Sequence, residues 1–267
     1  MLNPPCELRY TEIEPSPALR SYIDRFCYYH ATTGNTLSEI QRCLPLGMIV
    51  LVVHLSGQRC IGVQESGELI YPEAYLVGIC EEPVHWKMYG GSEIMAIRFT
   101  PEAAVQLFQT PLGELANDLV EAREFNHAIV TGLVNRMQGE KDLPRRIDLI
   151  EKFLVQEFSK LEGNHNYFST SMLRLRTRNS TFSNANLVDA FYRSERQIQR
   201  MFKEYIGINP KTYQRIMRFR NTWENVTKIR QADWAQTAYA MGYADQAHLI
   251  RDFKSLAGVT PRKVFQL

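Results

Sequence analysis

What the sequence lacks narrows the field first. Its longest apolar run, Met48–Leu55 (MIVLVVHL), falls far short of the roughly 20 residues that a membrane-spanning helix needs. The opening MLNPPCELRY has neither the basic nor the apolar part of a secretory signal. The expected compartment is therefore the cytoplasm, with no membrane partner. Five cysteines, Cys6, Cys27, Cys43, Cys60 and Cys80, form an odd set without a C-x-x-C pair, so their spacing suggests neither a disulfide framework nor a zinc site. They are expected to be reduced thiols, several of them buried. Also absent are a G-x-S-x-G elbow, a P-loop and an H-E-x-x-H pair. The expectation is a protein with no catalytic residue, no metal and no cofactor.

What is present is a long, well-mixed chain with divided charge. At 267 residues and 45% hydrophobic content, it can supply the cores of two modest domains. The formal net charge of +2 hides opposed halves. Residues 1–130 carry eight Lys/Arg against sixteen Asp/Glu, residues 131–165 six of each, and residues 166–267 seventeen against seven. A basic C-terminal module suits a polyanion, and an acidic module ahead of it suits something else.

The basic part repeats itself. At an offset of 51 residues, SERQIQRMFKEYIGINPKTY (Ser194–Tyr213) lies over DQAHLIRDFKSLAGVTPRKV (Asp245–Val264) with R-x-F-K-x-x-x-G-x-x-P in common. The shared positions are Arg200 and Arg251, Phe202 and Phe253, Lys203 and Lys254, Gly207 and Gly258, and Pro210 and Pro261. Each copy reads as helix, stop, helix. Ser194 or Asp245 can cap the first helix, with Gln197 completing a capping box after Ser194. Gly207 or Gly258 supplies the positive φ that ends it, and Asn209-Pro210 or Thr260-Pro261 starts the next. A short helix precedes each copy, at Asn186–Tyr192 and at Asp233–Met241, where Gly242 sets the turn. Two short helices joined by a tight turn make a helix-turn-helix. Between the copies, Lys211–Ile229 reads as one long helix with Tyr213, Ile216, Met217, Trp223 and Val226 on one side.

The apolar stripes assign the faces. Ile198, Phe202 and Tyr205, and in the second copy Leu249, Phe253 and Leu256, are expected to be buried. That leaves Glu195, Arg196, Gln199, Arg200 and Lys203 outside in one helix, and Gln246, Ala247, Ile250, Arg251 and Lys254 in the other. Arginine pairs bidentately with guanine, glutamine with adenine, and Ala247 or Ile250 can touch a thymine methyl. The plainer alternative is a pair of ordinary solvated helix faces. His248 is expected to pack against the turn rather than to touch DNA. If both units enter one face of a duplex, their recognition helices lie about one helical turn, roughly 34 Å, apart.

On these residues the sequence resembles the AraC (AraC/XylS) family of bacterial transcription regulators. The resemblance is carried by S-x-R-Q-I-Q-R-M-F (Ser194–Phe202), G-x-x-P-K-x-Y (Gly207–Tyr213) and MGYADQAHLIRDFKSLAGVTP (Met241–Pro261). It covers about 100 residues, from near Asn166 to Leu267. It implies DNA-facing residues at Arg196, Gln199 and Arg200, then at Gln246, Ala247, Ile250 and Arg251. One departure is visible: Phe191-Tyr192 stands where the family usually has a glycine or small residue, which leaves the angle of the first recognition helix open.

Residues 1–125 look strand-rich, with β-branched runs at Leu8–Glu14, Met48–Leu55, Ala74–Cys80 and Ile94–Thr100. Turn signals separate them at Ser56-Gly57, Ser66-Gly67 and Gly90-Gly91, and a helix opens at Thr100-Pro101-Glu102. The order of these segments resembles a subgroup of AraC-type regulators with a reduced cupin-like N-terminal domain. Metal-dependent cupins use closely spaced histidines with a glutamate, whereas His30, His54 and His85 are dispersed; each reads as a structural residue. An effector pocket lined by Tyr, Phe and Trp86 is open at this point, beside the plainer reading that these rings fill the barrel.

In the middle segment, Ile129, Leu133 and Met137, then Ile147, Ile150, Phe153 and Leu154, fall at helical spacing. They serve either packing within one chain or a homodimer seam. The expected fold is α+β: a β-rich cupin-like barrel or sandwich with helices over 1–125, a helical linker or dimerisation segment over 126–165, and an all-α tandem helix-turn-helix domain over 166–267. The expected function is a DNA-binding transcriptional regulator. Its partners would be double-stranded DNA, a small-molecule effector, a second copy of the chain and, for an activator, RNA polymerase. Two alternatives belong to other classes. A DNA-repair methyltransferase carrying AraC-type units would need a Pro-Cys-His setting that none of the five cysteines has. An interaction protein that has lost DNA binding is the other.

Overall fold

The apolar run MIVLVVHL contains nearly all of a strand that is buried on both faces, and the architecture of the N-terminal half follows from that. In the computed structural model, which describes residues 5–32, 34, 36–124, 127–161, 166–177, 183–226 and 234–264, the N-terminal half holds ten strands among the described residues, nine before the first helix and one after it. They are β1 (Leu8–Ile13), β2 (Ile23–Ala31), β3 (Gln41–Cys43), β4 (Ile49–Ser56), β5 (Ile61–Gln64), β6 (Gly67–Ile70), β7 (Ala74–Val77), β8 (Val84–Lys87), β9 (Glu93–Phe99) and β10 (Leu119–Glu121). They form two antiparallel sheets, of order β1-β2-β9-β4-β7-β10 and β3-β8-β5-β6.

Side chains alternate across the larger sheet. Phe26, Ile49, Leu51, Val53, Leu76, Met95, Ile97 and Phe99 join a core shared with the helices. Their neighbours Cys27, Val52, Tyr75, Ile94 and Ala96 turn the other way, into a second core closed by Trp86, Tyr71 and Cys60 of the smaller sheet. With both faces covered, the strands read as continuous apolar runs rather than as alternation. The chain crosses from one sheet to the other at left-handed glycines, Gly57 (φ 76°) between β4 and β5 and Gly91 (φ 77°) between β8 and β9.

Helix α1 (Pro101–Phe108) opens as the sequence predicts, with Thr100 Oγ1 accepting from the Ala103 N–H at 3.3 Å. α2 (His127–Gly139) and α3 (Leu143–Lys160) lie against the larger sheet. Gln138 Nε2 donates to His54 O at 2.9 Å, and Tyr22 stacks on Phe158 with centroids 4.1 Å apart. The inner side of α3 buries Ile147, Ile150, Leu154 and Phe158, while Leu149 and Val155 stay exposed. Phe153 is half-buried under the Arg136 guanidinium, 4.1 Å from its ring centre.

The remaining helices are α4 (Tyr167–Thr177), α5 (Asn184–Phe191), α6 (Glu195–Ile206), α7 (Pro210–Val226), α8 (Trp234–Ala240), α9 (Gln246–Ala257) and α10 (Pro261–Val264). The predicted end of the long helix, between residues 227 and 229, lies outside the described residues. All eight residues of α1 are buried, and α1 packs on α4. There Glu102 meets Arg176, which also donates to the Tyr213 hydroxyl of α7 at 2.7 Å. Arg220 of α7 pairs with Asp24 of β2. Part of the basic surplus of the C-terminal half is thus spent on the acidic half, and only the remainder is free for another anion. No helix among the described residues is long and apolar enough to cross a membrane.

Candidate nucleic-acid interface

Each helix-turn-helix is set by its caps. In the first unit Ser183 Oγ accepts from Asn186 N–H at the start of α5. The chain then turns through Tyr192, which adopts a left-handed conformation at φ 47°. At the start of α6 the capping box is complete: Ser194 Oγ accepts from Gln197 N–H, and Ser194 N–H donates to Gln197 Oε1 at 3.1 Å. Gly207 (φ 76°) ends α6. In the second unit Gly242 (φ 75°) makes the turn, Asp245 Oδ1 accepts from His248 N–H at 2.6 Å, and Gly258 (φ 70°) ends α9.

The buried stripes fall where the sequence puts them, with one adjustment. Ile198, Phe202, Leu249, Phe253 and Leu256 are buried. Tyr205 is half-buried, because its ring lies flat on Phe168 with centroids 5.0 Å apart and its edge stays open; Ile206 takes the core position in its place. Outside lie Arg196, Gln199, Arg200 and Lys203 on α6, and Gln246, Ala247, Arg251 and Lys254 on α9, all exposed, with Ile250 half-buried among the latter. Among the described residues, the side chains of Arg196, Gln199, Arg200, Gln246, Arg251 and Lys254 have no hydrogen-bond or ion-pair partner. Arg196 and Arg200 sit one turn apart with like charge, which slightly destabilises a helix. Such a surface gains from an anion. Lys203 differs, since its Nζ donates to Gly207 O at 2.8 Å and so helps to end its own helix.

His248 packs on the turn, with Nδ1 3.5 Å from the Ala244 N–H and its ring edge-on to Tyr243. No local pattern singles out Asp252. It is buried on the inner side of α9, accepting from Arg215 Nε at 2.7 Å and Arg218 Nη2 at 3.1 Å. This ion-pair fork ties the second recognition helix to α7. An aspartate in mid-helix reads as solvated, and only the phase of α7 brings the two arginines to it.

A second feature lies between the two sheets: a cavity of ≈ 160 Å³ lined by Tyr29, Tyr71, Tyr75 and Trp86, by the thiols of Cys27, Cys43 and Cys80, and by Met48 and Arg98 among others. Tyrosines and Trp86 line it as anticipated. Phenylalanine does not, because Phe26 and Phe99 point to the opposite face of the sheet. His54 is a satisfied core histidine: Nε2 accepts from Cys60 N–H at 2.8 Å, Nδ1 lies 3.1 Å from Glu73 O, and burial pushes its pKa down. His30 and His85 are half-buried on β2 and β8. Among the described residues no three His, Cys, Asp or Glu side chains come together in a way that could hold a metal ion.

Residues 187–266 match the family model described as a helix-turn-helix domain, and residues 11–121 match that of a domain of unknown function, DUF6597. The C-terminal end therefore carries a helix-turn-helix domain of the AraC type, as its repeated motifs predict. None of the curated proteins matches the chain. Among solved structures, the chain is similar to ToxT from Vibrio cholerae, with 11% identity and a TM-score of 0.47 over 98% of each chain. It is also similar to the AraC-like transcriptional activator CuxR, with 12% identity and a TM-score of 0.35 over 89% of this chain and 83% of that one. A cupin domain from Bordetella pertussis covers 38% of this chain and 98% of its own length, at 12% identity and a TM-score of 0.25.

Proposed function

We propose that this protein is a sequence-specific transcriptional regulator that reads two successive major grooves with α6 and α9, under the control of a small molecule held by its N-terminal domain. The observation that carries the proposal is the pair of exposed, unpartnered faces at equivalent positions of two helix-turn-helix units. In this reading Arg196, Gln199, Arg200, Gln246, Ala247, Ile250 and Arg251 meet base edges, and Lys203 and Lys254 meet phosphates. Residues 1–125 are the sensory domain, 126–165 a helical connection and 166–267 the reader. A homodimer would form through the outer side of α3, where Leu149 and Val155 are exposed. An activator would in addition contact RNA polymerase, and all of this would take place in the cytoplasm.

An effector would act by changing the population of arrangements in which both readers can engage one duplex. The test is selection of bound DNA from a random pool by the full chain. The expected product is a bipartite motif with blocks about one helical turn apart, bound with an affinity that falls steeply as salt rises. A palindrome of such motifs would reveal the dimer. Enrichment of no motif at all would sink the proposal.

A further inference from the structure

One short strap of chain serves two neighbours. From Cys43 to Met48 it forms part of the cavity wall, and on its other side it seats the reader. Just before it, Arg42 Nη1 donates to Ala257 O at 3.0 Å, at the last residue of α9. Within it, Gly47 (φ 70°) lies so close to α7 that a Cβ there would sit 3.2–3.3 Å from Met217, Ile216 and Tyr213. Another part of the wall does the same for the other reader. Asn117, Asp118 and Leu119 line the cavity, directly after the segment Leu112–Ala116 that holds the end of α6. There Leu112 N–H donates to Tyr205 O at 3.1 Å, and Gly113 and Gly207 approach so closely that a Cβ on either would lie within 2.4 Å of the other segment. The repeat-related ends of both recognition helices are thus each held by chain that continues into the cavity wall.

The wall also limits the ligand. A cavity of ≈ 160 Å³ is close to the roughly 150 Å³ that accommodates one benzene ring. Aromatic rings and sulfur line it, a combination that favours an aromatic guest. Its charged side chains are Arg98 and Asp118, and the exposed Asp118 carboxylate, which accepts from the Leu119 N–H at 2.8 Å, disfavours an anionic guest. Burial pushes the Cys27 thiol up to about 11 and the Cys80 thiol up to about 12, so both are neutral. Arg98 is already matched by Glu12 Oε1 at 2.9 Å and Asp24 Oδ2 at 3.8 Å, with the Tyr10 hydroxyl accepting a further bond. Tyr71 and Tyr75 line the cavity, and a tyrosine hydroxyl that faces a cavity can donate to or accept from a polar atom of a guest.

We infer that the cavity takes an uncharged, single-ring aromatic molecule bearing a hydroxyl or carbonyl group, and that its occupancy is transmitted to α9 through Arg42–Met48 and to α6 through Leu112–Leu119. This rests on the cavity being the effector site proposed above. Its test uses no DNA, so it succeeds or fails separately from sequence reading. Phenol, toluene and benzoate are titrated into the full chain by calorimetry, and amide exchange is followed with and without phenol.

Phenol is expected to bind best, and Tyr75→Phe to weaken phenol by up to roughly tenfold while leaving toluene unchanged. Bound phenol is expected to alter exchange at residues 203–208 and 254–259. Arg42→Ala should keep phenol binding but lose the change at 254–259 only. Tighter binding of benzoate, or no saturable binding of any of the three, overturns the ligand class. Phenol bound with exchange unchanged at both helix ends overturns the coupling.

Discussion

The two helix-turn-helix units share a motif and differ in what fixes them. In the first, the end of α6 is locked backbone to backbone against Gly113, and its partners are mostly apolar or main-chain groups. In the second, α9 hangs from α7 by the buried Asp252 fork, and its end meets the N-terminal half through a side chain, Arg42 Nη1 donating to Ala257 O at 3.0 Å, with Arg42 and Pro83 3.8–3.9 Å from where a Cβ on Gly258 would lie. The counterpart of Asp252 in the first unit is Met201, half-buried. The first unit is in effect part of the N-terminal half, whereas the second is tethered by groups that can let go. A duplicated reader need not be a symmetric one.

Asp252→Ala should bear most heavily on the difference, since it removes a charged acceptor from two partly buried arginines. A loss of about 2 to 3 kcal/mol is expected in chemical denaturation, with exchange rising in α9 and not in α6. Equal loosening of both helices would break the comparison. Gly113→Ala should do the converse by overpacking against the α6 carbonyls, at about 1 to 3 kcal/mol. Gly258→Ala has space and carries only the left-handed backbone penalty, about 1 kcal/mol.

On a selected DNA site, Arg200→Ala and Arg251→Ala should each weaken binding by about 1 to 3 kcal/mol if each reads a guanine. Lys254→Ala should lower the salt slope by about 1. Lys203→Ala should lower it less, because its ammonium already serves Gly207 O. Titration across salt concentrations separates the two. The smallest effect belongs to the turn. Tyr192→Gly relieves a left-handed non-glycine residue but loses the Arg174 guanidinium 5.1 Å from the ring centre, so a net gain under about 1 kcal/mol is expected in thermal unfolding.

Local signals were the legible ones. The capping box at Ser194, the glycines at 207, 242 and 258, the helix start at Thr100 and four of the strands all rest on short-range chemistry that a few residues carry. Strand β2 escaped because IDRFCYYHA mixes charge with apolar residues: Asp24 sits at a register shift and pairs with the distant Arg98 and Arg220, beside Arg25. The turn at Ser66-Gly67 was readable, but the β5–β6 hairpin around it, exposed along β6, has no apolar period to announce it. Of the interface, the outer faces were readable from the 3.6-residue period. The Asp252 fork, the Gly113 approach and the Arg42 bond were not, because each joins residues far apart in sequence, with no local pattern on either side.

Helix α1 has a consequence for modularity. Buried on every side between the larger sheet and α4, it belongs equally to both halves, and the same apolar cluster runs without a break from Leu19 to Ala257. A fragment cut near residue 125 would leave that helix bare, so neither half can be transplanted to another partner as a ready-made part. Heating the whole chain should then melt both halves in a single transition.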